Sequence, residues 1–85
     1  MEIFYSSKFK RSFRKLPKEL AMVIDERINI FSDKPFDNRL KTHRLGDRLK
    51  GLWSFSITHK HRIIFEFING SNVRFIDIGD HRIYR

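Results

Sequence analysis

The sequence contains no cysteine among its 85 residues. This absence excludes a disulfide framework and any zinc site built from thiolates, and it is typical of a reducing compartment. Long apolar runs are also missing, since no stretch approaches the roughly 20 apolar residues of a membrane-spanning helix. The first residues lack a basic segment followed by an apolar one, so we expect no signal peptide. The sequence therefore predicts a soluble, cytoplasmic protein that does not use a membrane.

Acidic residues are scarce relative to basic ones. The chain has 18 Lys and Arg against 10 Asp and Glu, which gives a formal net charge of +8. Such a charge attracts polyanions, namely nucleic acid, an acidic membrane surface or an acidic protein. A chain of this length forms one small domain, which we place at residues 1–85. Its nine phenylalanines are suited to a core built from large rings.

The first half of the chain predicts a strand followed by two helices. Residues 2–5 are aromatic and β-branched, as in a short strand. Pro17 is unfavourable inside a helix and favourable in its first turn, so we expect one helix before it and a second that ends near residue 31. The apolar positions recur at helical spacing: Phe9, Phe13 and Leu16 in the first helix, and Leu20, Val23, Ile24, Ile28 and Phe31 in the second.

The second half predicts a sheet. Residues 36–50 are polar and basic and indicate a surface loop, with a short edge strand at 42–45 as one option. From residue 53 apolar and small polar residues alternate, which is typical of a half-buried strand. Residues 62–68 are apolar on both faces and favour a central strand, and Asn69-Gly70 is typical of a tight turn with positive φ angles before a return strand at 72–78. The predicted class is α+β, in the order β-α-α-β-β-β, with two helices on one face of a mostly antiparallel twisted sheet.

Three residues of the last third can carry chemistry. Arg62 opens the central strand, and its planar guanidinium is suited to a phosphate. An alternative is a structural ion pair with Glu66 or Asp77. His81 follows a strand end, and since free imidazole titrates near pH 6.5 it can serve as an acid or a base. Tyr84 can donate a hydrogen bond or a proton; alternatively, His81 is simply exposed and Tyr84 packs on the sheet.

Basic side chains are spread along the whole chain. No two of the four histidines have the helical i, i+4 spacing of zinc ligands, so we predict no metal and no cofactor. Six bases without an acid lie between residues 8 and 18, where they either follow a phosphate backbone or form a solvated helix face. The candidate RNA contacts are Lys8, Lys10, Arg11, Arg14, Arg44, Arg48, Lys50, Lys60 and Arg82. Trp53 and Phe55 can stack on bases, although their alternation with serines favours the core.

Three segments resemble one known family: residues 49–57 (LKGLWSFSI), 61–65 (HRIIF) and 76–81 (IDIGDH). They are similar to the RelE/ParE superfamily of toxin–antitoxin toxins, and within it to the YoeB and YafQ-like mRNA interferases. The element order and the link at residues 15–17 are similar too, so the resemblance covers nearly the whole chain. It implies a RelE-like fold that binds the ribosomal A site and cleaves mRNA there without a metal. It also implies a small antitoxin partner, which we expect to be acidic.

The resemblance assigns roles to four residues. Arg62 matches the arginine that stabilises the transition-state phosphate, His81 matches a C-terminal histidine that is a candidate general acid, and Tyr84 matches a C-terminal aromatic residue that stacks on or protonates the substrate. His43 lies near the loop position of the base, with Asp80 as a second choice. Attack by the ribose 2′-OH would give a 2′,3′-cyclic phosphate and a 5′-OH end. Two alternatives remain: a ParE-like inhibitor of DNA gyrase, and an inactive basic relative that only binds nucleic acid.

Overall fold

Two helices and a five-stranded sheet make up the computed structural model, which describes residues 1–84. The elements are β1 (Glu2–Tyr5), α1 (Ser7–Arg14), α2 (Ala21–Asp33), β2 (His43–Arg44), β3 (Trp53–Ser56), β4 (Arg62–Phe67) and β5 (Asn72–Gly79). Short 3₁₀ turns lie at Lys18–Leu20, Asn38–Leu40, Asp47–Leu49 and His81–Tyr84. The predicted α+β class is confirmed. Within residues 1–84 no helix has the length and apolar character needed to cross a membrane.

The helices begin and break where the sequence predicts. Ser6 Oγ accepts a hydrogen bond from the Phe9 backbone N–H at 3.0 Å and donates one to the Ile76 carbonyl at 2.7 Å. The same serine therefore caps α1 and ties it to β5. Pro17 has the extended ψ of 138° and leads into the turn Lys18–Leu20, which continues as α2. The predicted break at Pro17 is confirmed, and α2 ends two residues later than expected, at Asp33.

The strands are ordered β1-β5-β4-β3-β2 across the sheet. β1 runs parallel to β5, and the other neighbouring pairs are antiparallel. β2 pairs with the outer edge of β3 and occupies the position of the optional edge strand. The sheet thus has one strand more than the predicted β-α-α-β-β-β order, since two residues are too few to give a period-two pattern.

The turn between β4 and β5 differs from the prediction. Neither Asn69 nor Gly70 has a positive φ. Instead the Asn69 side-chain oxygen accepts hydrogen bonds from the backbone N–H groups of Ser71 (2.8 Å) and Asn72 (3.0 Å). The side chain replaces a backbone turn bond, so the connection is wider than a two-residue hairpin.

The helices bury one face of the sheet. Phe31 of α2 stacks on Phe55 of β3 with ring centroids 4.5 Å apart and meets Phe65 edge-on at 4.8 Å. Phe55 is fully buried, which confirms it as a core residue. Phe13, expected on the apolar face of α1, is 39% exposed. The apolar surface of α1 is therefore wider than what the sheet covers.

The opposite face of the sheet is covered in part by the C-terminal turn His81–Tyr84. Ser54 is fully buried there, although the alternating pattern predicts that the serines of this strand face solvent. A Cβ atom on Gly79 would lie 2.6 Å from Ile83 Cγ2, so glycine permits the turn to approach β5 closely. The C-terminal turn thus crosses the helix-free face and covers Ser54.

Candidate nucleic-acid interface and active site

The strand register places two of the predicted site residues on the helix-free face. Phe55 points towards α2, so its neighbours Ser54 and Ser56 point the other way. His43 is paired with Ser54, and Arg62 is paired with Ser56. Directly opposite residues of an antiparallel pair project from the same face. His43 and Arg62 therefore lie on one surface, on either side of β3.

Tyr84 joins this surface through the C-terminal turn. Its hydroxyl lies 2.7 Å from Ser54 Oγ, on the residue that is paired with His43. The ring also lines a cavity of about 280 Å³ with residues 45–49, which include the predicted RNA contact Arg48. The structure thus brings Tyr84, His43 and Arg48 to the same part of the sheet.

Arg62 is held in place by backbone carbonyls rather than by an acid. Its Nη1 donates to the Thr58 carbonyl at 2.7 Å and to the His61 carbonyl at 3.1 Å. Among residues 1–84 no carboxylate lies within ion-pair distance of it. Its other N–H groups remain available to an anion.

The alternative of an Arg62 ion pair with Glu66 or Asp77 is wrong. Glu66 pairs with Arg74 at 2.6 Å. The buried Asp77 carboxylate accepts from Ser12 Oγ at 2.6 Å and lies 3.5 Å from Lys8 Nζ. Both acids are therefore engaged elsewhere, and Arg62 is not needed to neutralise them.

His81 lies on the exposed surface of the C-terminal turn. It follows Gly79, the residue paired with Arg62, by two positions. Its neighbour Asp80 accepts from the Arg82 guanidinium at 2.7 and 2.9 Å and from the Arg82 backbone N–H at 3.0 Å. These bonds hold the pKa of the Asp80 carboxyl well below its usual range. Asp80 is therefore a weak base, and the charge of Arg82 is largely neutralised.

His61 is a further candidate that is not among the predicted site residues. It is half-buried, and its Nδ1 lies 3.0 Å from Thr58 Oγ1. That oxygen already accepts from the backbone N–H groups of Lys60 (3.1 Å) and His61 (3.0 Å). Since both acceptor positions are occupied, we assign the hydroxyl as donor to Nδ1, which leaves the proton of the neutral ring on Nε2. His61 lines a cavity of about 370 Å³ with Asp80 and Arg82.

The predicted RNA contacts fall into two groups. Lys8, Lys10, Arg11 and Arg14 lie on α1, in the layer behind the sheet, and Lys8 also pairs with Asp77. The structure does not bring this group together with His43 and Arg62. Four others flank the helix-free face: Arg48 and Lys50 in or beside the turn Asp47–Leu49, Lys60 between β3 and β4, and Arg82 in the C-terminal turn. Arg44 belongs to neither group, because it is paired with Trp53 on the helix-covered side, with its guanidinium 5.2 Å from the Trp53 ring centre.

A basic cleft that the sequence did not predict lies beside Arg62. Arg27, Arg39, Lys41 and Arg62 line about 250 Å³ together with residues 56–59. These four residues come from α2, the Asn38–Leu40 turn, the position directly after that turn and β4, so no local spacing could have revealed the cleft. Arg39 pairs with Asp37 at 3.0 Å and lowers the pKa of that carboxyl to about 2. Among residues 1–84 no three His, Asp or Glu side chains come together as ligands of a metal ion.

Comparison with solved structures establishes the fold. YafQ from E. coli strain BL21(DE3) is 17% identical, with a TM-score of 0.81 over 98% of this chain and 96% of that one. A YoeB/ParE toxin from Agrobacterium tumefaciens is 20% identical, with a TM-score of 0.77 over 95% and 99%. YoeB in the heterotetrameric YoeB–YefM toxin–antitoxin complex from Staphylococcus aureus is 19% identical, with a TM-score of 0.72 over 95% and 97%. No protein-family model and no curated protein matches the chain. The fold is that of YafQ and YoeB, as the resemblance implied.

Proposed function

We propose that this chain is the toxin of a type II toxin–antitoxin system and an endoribonuclease that cleaves mRNA on the ribosome. The observation that carries the proposal is the position of Tyr84, whose hydroxyl lies 2.7 Å from Ser54 Oγ on the surface that also carries His43 and Arg62. The shared fold with YafQ and YoeB supports the same class. Translation would stop because its template is cut.

The reaction uses side chains of the helix-free face. His43 takes the proton from a ribose 2′-OH, and the oxygen attacks the adjacent phosphorus. The bond from phosphorus to the 5′-oxygen breaks, and His81 or Tyr84 supplies the proton to that leaving oxygen. The products are a 2′,3′-cyclic phosphate and a 5′-OH end. Asp80 is not proposed as the base, because the bonds from Arg82 keep its pKa low.

Arg62 supplies the electrostatic part of catalysis. Negative charge develops on the phosphate oxygens in the transition state, and a donor already oriented towards them need not reorganise during the reaction. The carbonyls of Thr58 and His61 fix the guanidinium through Nη1, and no acid competes for it within residues 1–84. Loss of a donor of this kind costs about 10²–10³ in rate.

The partner that controls this activity is a small acidic antitoxin. In the complex from Staphylococcus aureus a YoeB protein is bound to its antitoxin YefM. On this chain an apolar groove runs between α1 and α2 and contains Phe13 and Ile24. Its charged border consists of three bases, Lys10, Arg14 and Lys18, and one acid, Asp25. A groove with an apolar floor and a mainly basic border is suited to an amphipathic segment that carries acidic residues.

Brief induction in cells tests the proposal. The 5′ ends of cellular mRNA are mapped for the parent chain and for Arg62→Ala and His81→Ala, with Arg74→Ala as control because Arg74 pairs with Glu66 away from the site. We expect new 5′-OH ends within coding regions for the parent and the control, and a loss of at least about 100-fold for the two site variants. Equal toxicity of all four chains would contradict the nuclease. Arrest of replication with DNA damage and intact mRNA would favour gyrase inhibition.

A further inference from the structure

The basic cleft beside Arg62 is short of negative charge. Arg39 is neutralised by Asp37 through two hydrogen bonds of 3.0 Å. Arg27, Lys41 and Arg62 have no carboxylate within ion-pair distance in the part of the chain that the structure describes. Three cations that share about 250 Å³ repel one another unless an anion lies between them.

Arg27 carries a buried hydrogen-bond donor that has no acceptor within residues 1–84. Its Nη1 donates to the Arg39 carbonyl at 3.0 Å. Its Nε is shielded from solvent and has no acceptor within residues 1–84. A guanidinium whose Nε has lost hydration without gaining an acceptor gains more from a nearby anion than a fully exposed lysine does.

The cleft and the Tyr84 cavity lie at opposite ends of the β2–β3 pair. Residues 56–59, which comprise the last residue of β3 and the three that follow it, line the cleft. The Tyr84 cavity is lined by residues 45–49, which follow the end of β2. His43 and Ser54 lie between the two. Arg62 belongs both to the helix-free face and to the cleft, so a polynucleotide that follows β3 on this face reaches the Tyr84 cavity and the Arg62 side of the cleft.

We propose that Arg27 and Lys41, which line the cleft beside Arg62, bind a backbone phosphate of the RNA next to the one that Arg62 stabilises, so that this phosphate flanks the cleaved bond and is not itself cleaved. The inference rests on the proposed function for the identity of the substrate. Planar guanidinium groups match phosphate oxygens in pairs, and Lys41 adds a point charge at the open side. The phosphate would fix the register of the RNA, while the cleaved bond lies near His43 and Tyr84.

Binding of a non-cleavable RNA tests the site without depending on catalysis. A short single-stranded RNA with 2′-O-methyl groups is titrated at several salt concentrations against the parent chain, Arg27→Gln, Lys41→Gln and the double variant. Arg74→Gln is the control, because it makes the same change of charge in a residue paired with Glu66. Each single variant is expected to weaken binding about tenfold and to reduce the slope of log K against log salt by about 0.7, the value for one phosphate on a single strand. The double variant should lose less affinity than the product of the two single losses, because both side chains contact the same phosphate.

The site is overturned if Arg27→Gln and Lys41→Gln bind as Arg74→Gln does. Lys41 is exposed directly after the Asn38–Leu40 turn, so its variant stays informative if Arg27→Gln unfolds. Arg27→Lys keeps the charge and should bind with intermediate affinity. If the parent cleaves RNA and the cleft variants bind RNA as the parent does, the phosphate site is rejected and the nuclease activity is retained. If the parent binds RNA through the cleft but cuts no RNA, the proposed nuclease activity is rejected and the phosphate site is retained. If the cleft variants lose affinity for the antitoxin but not for RNA, an acidic protein side chain occupies the cleft, and this outcome also overturns the inference.

Discussion

The hydroxyl of Tyr84 lies 2.7 Å from Ser54 Oγ, and this bond fastens the C-terminal turn to β3. Ser54 is fully buried, so its oxygen depends on Tyr84 for a partner. A buried polar group that loses its partner costs about 1–3 kcal/mol, more than the bond itself contributes. The two residues should therefore be energetically coupled, with unequal effects of removing each one.

A double-mutant cycle measures that coupling. Tyr84→Phe leaves the buried Ser54 hydroxyl without a hydrogen-bond partner and should lower the free energy of unfolding by about 1–3 kcal/mol. Ser54→Ala should cost less, because Tyr84 at the surface can bond to water. Adding Ser54→Ala to Tyr84→Phe should recover about 1 kcal/mol. Urea denaturation gives the four values, with Ser56→Ala as a control expected within about 0.5 kcal/mol of the parent. Strict additivity would show that the bond does not form in solution.

Gly79 determines how closely the C-terminal turn can approach the sheet. In Gly79→Ala the new Cβ would meet Ile83 Cγ2 at 2.6 Å, and relief of that contact moves the turn that carries His81 and Tyr84. We expect a loss of about 1–3 kcal/mol in unfolding free energy and a larger proportional loss of cleavage. Thermal unfolding and an RNA cleavage assay on the same samples separate the two effects.

A second substitution shows whether the clash with Ile83 is the cause. Gly79→Ala combined with Ile83→Ala removes the contact and should restore part of both stability and cleavage. Gly70→Ala is the control, since a Cβ there meets nothing within 4 Å and the residue has no positive φ. If the double variant is no better than Gly79→Ala, the effect comes from the backbone of β5 and not from the position of the turn.

The buried state of Ser54 also shows where sequence patterns stop being informative. Alternation at residues 53–58 correctly predicts a strand with Phe55 in the core, because the period of two reports which face meets the helices. It assigns Ser54 to solvent, since the element that covers it is a four-residue turn without a period of its own. The basic cleft was missed for the same reason: Arg27 reads as a solvated helix position until tertiary packing places α2 beside Arg62 and Lys41.

The low pKa of Asp80 predicts how acidity affects the proposed cleavage. Because Arg82 lowers that pKa, the carboxylate stays ionised throughout the range in which histidine titrates, near pH 6.5. Asp80→Asn keeps an acceptor for the Arg82 backbone N–H and should leave the shape of the pH–rate profile unchanged. Because folding lowers the pKa of this carboxyl, the parent is more stable than Asp80→Asn above about pH 4, and this difference in stability is lost as the pH falls further. If Asp80→Asn removed the acidic limb of the profile and lost about 100-fold in rate, Asp80 would be the general base after all.

The groove between α1 and α2 gives a way to separate inhibition from catalysis. Phe13 is 39% exposed and contributes to both parts of the groove, on the side of the sheet away from His43 and Tyr84. Phe13→Glu places a carboxylate where an acidic antitoxin would lie, so we expect affinity for the cognate antitoxin to fall at least about tenfold, or 1.4 kcal/mol. Cleavage by the chain without the antitoxin should not change. Met22→Glu is the matched control, because Met22 is 85% exposed on α2 and does not line the groove. Titration calorimetry with the antitoxin and a cleavage assay without it give the two readouts, and equal antitoxin binding by both variants would place the antitoxin on another surface.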